Sequence, residues 1–80
     1  MSNIIKLPDG NAISPAVIKS VVYYRGKGVM CRDAQTRYVC YIKTSTDEQG
    51  ELARDLLIKI VNDGARASQP DWSFLIETNN

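Results

Sequence analysis

The sequence contains no histidine. Histidine is the usual general base near neutral pH, the common activator of serine and cysteine nucleophiles, and the commonest metal ligand in proteins. Its absence removes the common nucleophilic hydrolases and most zinc sites from consideration. We therefore expect no catalytic residues, no metal, no cofactor and no enzymatic activity in these 80 residues.

Cysteine is nearly absent as well, with Cys31 and Cys40 as the only two. Two cysteines are too few for a small protein held together by disulfides. Zinc would need two carboxylates besides them, which is an uncommon ligand set. Since free cysteine is among the most buried residue types, we expect both side chains in the core. A redox pair is the alternative, and it requires a strand register that places Cys31 directly opposite Cys40.

The sequence also lacks a long hydrophobic run. No stretch approaches the roughly 18 apolar residues of a membrane span, and the first ten residues do not resemble a secretory signal. We expect a cytoplasmic protein of bacterial or phage type that does not contact membranes. The net charge of +1 argues against a strongly cationic nucleic-acid binder. It hides an asymmetry, because residues 1–43 carry seven basic and two acidic side chains, whereas residues 44–80 carry three basic and seven acidic ones.

The remaining composition, 44% hydrophobic and 24% charged, is that of one ordinary globular domain. Segments rich in β-branched and aromatic residues predict strands, and helical spacing of apolar residues follows them. We predict an α+β fold, an antiparallel β-meander of three or four strands with one C-terminal α-helix packed on one face and, as an open alternative, a final short strand. The single domain, 1–80, would divide into a basic meander (1–43), an amphipathic helix (46–63), a linker (65–71) and a terminal strand or docked tail (72–77).

The helix is the clearest element of the sequence. Ser45 with Glu48, or Thr46 with Gln49, has the spacing of a capping box. Gly64 occupies the position of a C-terminal stop. The apolar stripe that would pack on the sheet consists of Leu52, Ala53, Leu56, Leu57, Ile60 and Val61.

Turn positions predict which side chains share a face of the meander. A two-residue turn at residues 26–27 would place Tyr24 opposite Val29, and a turn near residue 34 would place Cys31 opposite Tyr38. Opposite residues, and alternate residues along a strand, point to the same side. The predicted core face is Val22, Tyr24, Val29, Cys31, Tyr38, Cys40 and Ile42.

The predicted outer face is unusual for a solvent-facing sheet. It comprises Val21, Tyr23, Arg25, Met30, Arg32, Arg37, Val39, Tyr41 and Lys43. Tyrosine, arginine and methionine are enriched at protein interfaces, so we predict a protein–protein interaction or adaptor module, with homodimerisation included. The candidate binding residues are Tyr23, Arg25, Met30, Arg32, Arg37, Tyr41 and Lys43.

Two other interpretations of this face remain open. Single-stranded nucleic acid could bind there, since bases stack on aromatic rings while arginine and lysine hold the backbone. Alternatively, the face is an ordinary half-solvated sheet covered by its own long side chains or by the C-terminal segment. The sequence does not identify a partner.

Overall fold

The computed structural model describes residues 4–75. Its elements in chain order are β1 (Ile5–Lys6), β2 (Ala12–Ile13), a 3-10 turn (Pro15–Val17), β3 (Ser20–Tyr24), β4 (Gly28–Arg32), β5 (Tyr38–Lys43), α1 (Asp47–Asp63) and two further 3-10 turns (Gly64–Arg66 and Ser73–Leu75). β1 and β2 form a small antiparallel hairpin, and β3, β4 and β5 form an antiparallel meander. The predicted α+β fold, a meander with one helix on one face, is confirmed. Residues 76–77 of the predicted tail lie outside the described residues.

Local capping chemistry fixes both ends of α1. The Thr46 Oγ1 atom accepts a hydrogen bond from the Gln49 N–H at 3.1 Å, and the Gln49 Oε1 atom accepts one from the Ser45 N–H at 2.8 Å. The helix stops at Gly64, whose φ of +59° suits glycine. Within residues 4–75, no helix has the length and apolar character to cross a membrane.

The core lies between α1 and one side of the meander, and the β1–β2 hairpin contributes to it. Its buried apolar residues are Ile5, Leu7, Ile18, Val29, Cys31, Cys40, Ile42, Ala53, Leu57, Ile60 and Ala67. Four residues of the predicted core face are among them: Val29 and Cys31 of β4, and Cys40 and Ile42 of β5. The predicted burial of Cys31 and Cys40 is therefore confirmed.

The predicted register between β3 and β4 is wrong by one residue. Tyr24 lies opposite Gly28, and not opposite Val29. The cause is a loop of three residues in place of two: the Lys27 N–H donates to the Tyr24 carbonyl at 2.9 Å, and Gly26 has a φ of +79°. A positive φ at the third residue is what a type II turn requires.

This one-residue shift exchanges the two faces of β3, because successive side chains point to opposite sides. Val21 and Tyr23, which the two-residue turn would place on the outer face, pack against the core. Val22 and Tyr24, which it would place in the core, are 39% and 40% exposed.

The register between β4 and β5 also differs from the prediction. Cys31 lies opposite Cys40, and not opposite Tyr38, and an irregularity in the pairing follows it. A register shift of two residues leaves each side chain from Cys40 to Lys43 on its predicted face. The irregularity beyond Cys40 exchanges the faces of the first two residues of β5. Tyr38 consequently faces outward beside Arg32 and is 64% exposed, whereas Val39 is half-buried against the core.

The C-terminal segment runs along β1. The Lys6 N–H donates to Gln69 Oε1 at 3.0 Å, Gln69 Nε2 donates to the Ile4 carbonyl at 2.7 Å, and Trp72 Nε1 donates to the Lys6 carbonyl at 2.8 Å. Gln49 Nε2 on α1 donates to the Phe74 carbonyl at 3.1 Å. The described part of this segment is thus held to β1 and to the start of α1, which leaves the outer side of β3 and β4 uncovered.

Candidate interaction face

No segment of residues 7–19 or 44–69 covers the side of the meander that points away from α1, and we call this side the open face. Its large side chains are Val22, Tyr24, Met30, Arg32, Tyr38, Tyr41 and Lys43. None of them is acidic. The open face therefore combines exposed aromatic and aliphatic surface with positive charge.

Four of the predicted binding residues lie on this face. Lys43 is exposed, and Met30, Arg32 and Tyr41 are half-buried. Their role in binding remains a prediction. Tyr23, Arg25 and Arg37 make their contacts elsewhere.

Tyr41 contributes an aromatic ring to the open face, where it lies against Gly28 of β4. A Cβ atom added to Gly28 would lie 2.9 Å from the Tyr41 hydroxyl oxygen, and it would also clash with the Ile42 carbonyl oxygen. The tyrosine ring therefore crosses the strand where glycine leaves room for it, as aromatic side chains often do over a glycine in a neighbouring strand.

Arg25 and Arg37 are paired with carboxylates at the loops. Arg25 Nε lies 3.2 Å from Asp47 Oδ2, and Arg37 Nε lies 3.1 Å from Asp33 Oδ2. The backbone N–H of Arg37 also donates to Asp33, which holds the pKa of that carboxyl group below its ordinary value. These two cations are therefore partly neutralised before any partner approaches.

Arg32 and Lys43 are the cations of the open face itself. Arg32 Nη1 donates to the Thr36 carbonyl at 3.3 Å, which holds the guanidinium group at the β4–β5 turn. Among residues 4–75, neither Arg32 nor Lys43 forms an ion pair. Their charge is available to an incoming carboxylate or phosphate.

Tyr23 lies on the helix side of the meander, so its predicted place on the outer face is wrong. Its hydroxyl donates to Asp47 Oδ1 at 2.7 Å, and its ring packs against Gly50 of α1, where an added Cβ would overlap the ring. The hydrogen bond to the Asp47 carboxylate, together with partial desolvation, raises the pKa of Tyr23. Tyr23 joins β3 to α1 and is not free to contact a partner.

The two cysteines form a thiol pair in the core. Cys31 is 0% exposed and Cys40 is 6% exposed, both are free, and they face each other across β4 and β5. The hydrogen bond between the two side chains lowers the pKa of Cys40 and, with burial, raises that of Cys31.

A cavity of about 690 Å³ lies between the end of β1, the edge of β5 at Tyr41 and the C-terminal segment. Its charged residues are mixed, with Lys6 and Lys43 beside Asp9 and Asp71, and Trp72 lies among them. Residues 4–75 hold no group of three or more histidine, cysteine, aspartate or glutamate side chains that could bind a metal ion.

Sequence reasoning missed Tyr24, Tyr38 and Val22 as members of the open face. A glycine-containing loop of two or of three residues fits the sequence "RGKG" equally well. The length of this loop decides which face of β3 is exposed. Nothing in the sequence marks the irregularity that turns Tyr38 outward.

Comparison with known proteins gave no further guide: the chain matches no protein-family model, no curated protein and no solved structure.

Proposed function

We propose that this chain is a non-catalytic binding module that docks an acidic segment of a partner protein on the open face. The observation that carries the proposal is the exposure of Tyr24 and Tyr38 beside Arg32 and Lys43, two cations that form no ion pair within residues 4–75, on a face to which those residues contribute no carboxylate. We place the module in the cytosol, where reduced cysteines are normal.

The side-chain types on the open face support protein recognition. Tyrosine, methionine and arginine are enriched in protein interfaces, and tyrosine and arginine dominate the residues that contribute most binding energy. Val22 and Met30 lie between the tyrosines and provide apolar contact area. A strand or helix of the partner that presents leucine-like anchors to these residues would remove them from water.

Charge complementarity indicates that the partner is acidic. Arg32 and Lys43 would meet carboxylates without first breaking an ion pair with any residue of the described part of the chain. Complementary charge increases the association rate and disfavours wrong partners. A second copy of this chain fits less well in a face-to-face dimer, because the same two cations of each copy would meet.

Single-stranded nucleic acid is the second candidate, and three tyrosines on one face favour it. Bases stack on such rings, but a nucleic-acid platform also needs cations that follow the phosphate backbone. Arg25 and Arg37 are each held by an aspartate, which leaves two cations on the face. If only Arg32 and Lys43 contact phosphates, the log–log salt slope of binding should be no steeper than about −1.4, at about 0.7 per phosphate.

A peptide selection tests the proposal even though the partner is unidentified. A displayed random-peptide library would be selected on the wild-type protein and counter-selected on the Arg32→Glu variant. We expect the surviving peptides to be rich in aspartate and glutamate with interspersed apolar residues. Arg66→Glu is the matched control, because Arg66 is an exposed arginine on the turn after α1, away from the open face.

The outcomes separate the candidate occupants. Acidic peptides that bind wild type and Arg66→Glu but not Arg32→Glu support the proposal. Peptides without acidic bias, or equal binding to both variants, contradict it. Tight binding of mixed-sequence single-stranded RNA or DNA that is weakened by Arg32→Glu but not by Arg66→Glu would replace it with the second candidate. A concentration-dependent dimer that is lost in Tyr38→Ser would identify a second copy as the occupant.

A further inference from the structure

We propose that Cys31 and Cys40 are an oxidation site, a cross-strand dithiol that a hydroperoxide converts to a disulfide, with Cys40 as the attacking sulfur. This inference does not depend on the function of the open face, since both thiols lie on the opposite side of the meander.

The strand register brings the two sulfurs together. Cys31 and Cys40 are direct partners in the antiparallel pair of β4 and β5. Directly opposite residues have Cβ atoms about 4.5–5.5 Å apart, while a disulfide needs about 3.5–4.5 Å. A small approach of the two strands closes that difference. Both side chains lie on the core side of their strands, where both are buried.

The surroundings of the pair make the two cysteines unequal. A cavity of about 340 Å³ lies between the β1–β2 hairpin and the outer edge of β5, and its lining includes Cys40, Tyr38 and Ile13 but not Cys31. A small oxidant therefore reaches Cys40 first. Asp9 also lines this cavity, and its charge opposes thiolate formation at Cys40, while the thiol of Cys31 favours it.

The chemistry needs only a hydroperoxide as oxidant. The Cys40 thiolate attacks the distal oxygen of hydrogen peroxide, which breaks the O–O bond, gives a sulfenic acid and releases hydroxide that takes up a proton to become water. The Cys31 sulfur then attacks the Cys40 sulfur, loses its proton and displaces the hydroxyl group as a second water. In total, two thiols and one peroxide give one disulfide and two waters.

Trypsin digestion provides a direct test on the wild-type chain. Cleavage after Lys27, Arg32, Arg37 and Lys43 places the cysteines in separate peptides, GVMCR and YVCYIK. The folded protein is treated with hydrogen peroxide, free thiols are then alkylated in denaturant, and the digest is analysed by mass spectrometry. We expect the two peptides joined with the loss of two hydrogens, and separated again by dithiothreitol. Two alkylated, unlinked peptides, or a product linked only between chains, would overturn the proposal.

Two variants test which sulfur attacks. In Cys31→Ser, the sulfenic acid at Cys40 persists and is trapped by dimedone. In Cys40→Ser, trapping at Cys31 is lost or markedly slower, because Cys31 is fully buried and does not line the cavity that admits the oxidant. Equal trapping rates in the folded variants would overturn the assignment of Cys40 as the attacking sulfur. Circular dichroism checks that both variants fold, and the wild-type crosslink decides the main proposal if either does not.

Discussion

At the residue scale, the ring of Tyr23 in the sheet packs directly against Gly50 of α1. Glycine inside a helix ordinarily destabilises it by about 1 kcal/mol relative to alanine. At Gly50, however, the ring of Tyr23 occupies the space of a Cβ atom. We predict that Gly50→Ala lowers the free energy of unfolding by about 1–3 kcal/mol, the usual cost of overpacking, as measured by urea denaturation.

The control for this prediction removes the ring. In a Tyr23→Ala background, Gly50→Ala should stabilise the protein, because only helix propensity remains. A stabilising effect of Gly50→Ala in the wild-type background would contradict the close contact.

Thr36 has an unfavourable backbone conformation at the β4–β5 turn. Its φ is +62°, a left-handed conformation that costs a residue with a Cβ about 1–2 kcal/mol. Glycine removes that cost but loses more entropy on folding, about 0.5–1 kcal/mol. We predict that Thr36→Gly raises the free energy of unfolding by about 0.5–1 kcal/mol. Thr36→Ala should give no such gain in the same thermal or urea melts, and equal effects of the two substitutions would refute the explanation.

At the scale of elements, the hydrogen bond from Tyr23 to Asp47 joins β3 to the first turn of α1. The bond needs the protonated phenol, so the pKa of Tyr23 is raised above its ordinary value of 10.0. A raised folded-state pKa means that the stabilising contribution is fully present below pH 10.0 and is lost as pH rises through the folded-state pKa.

This linkage is measured by comparing wild type with Tyr23→Phe. The difference in their free energies of unfolding should be constant near neutral pH and should shrink above pH 10.0. Arg25→Gln, which removes the neighbouring ion pair but keeps the phenol, should still lose stability at high pH, with the loss moved to higher pH because the Arg25 charge lowers the pKa of Tyr23. A difference between wild type and Tyr23→Phe that grows with pH would contradict the account.

Elements whose signals are local were predictable from the sequence. Thr46, Gln49 and Gly64 indicate the two ends of α1, since their capping bonds join residues close in the chain. Strand register was not predictable, because it depends on the length of the Arg25–Lys27 loop. One extra loop residue reversed both faces of β3.

The residue types of the candidate site were predictable from the sequence, but the individual residues that form it were not. An outer sheet face with tyrosine, methionine and arginine follows from the strand sequences, and Met30, Arg32, Tyr41 and Lys43 lie on it. The ion pair of Arg25 with Asp47 depends on tertiary structure, because the two residues are far apart in the chain. The ion pair of Arg37 with Asp33 is local to the β4–β5 turn.

At the scale of the whole molecule, charge is divided between two opposite sides. The open face carries no acidic residue, whereas the exposed residues of α1 include Glu51, Asp55 and Asp63. An acidic partner should therefore approach the sheet side and be repelled by the helix side.

We predict that Tyr38→Ala weakens binding of a selected acidic peptide by about 2 kcal/mol, the level of an interface hot spot. Ile58→Ala on α1, which also removes an exposed apolar side chain, should leave the affinity unchanged in isothermal titration calorimetry.

The measurement that tests the central claim most directly is a backbone-amide NMR titration of the labelled protein with such an acidic peptide. We predict saturable shift changes in β3, β4 and β5, strongest around Tyr24, Arg32 and Tyr38, with α1 little affected beyond its sheet-facing side. Changes centred on the outer side of α1 or on the β1–β2 hairpin would contradict the claim, as would an absence of changes with peptide under conditions where single-stranded RNA or DNA shifts the same amides.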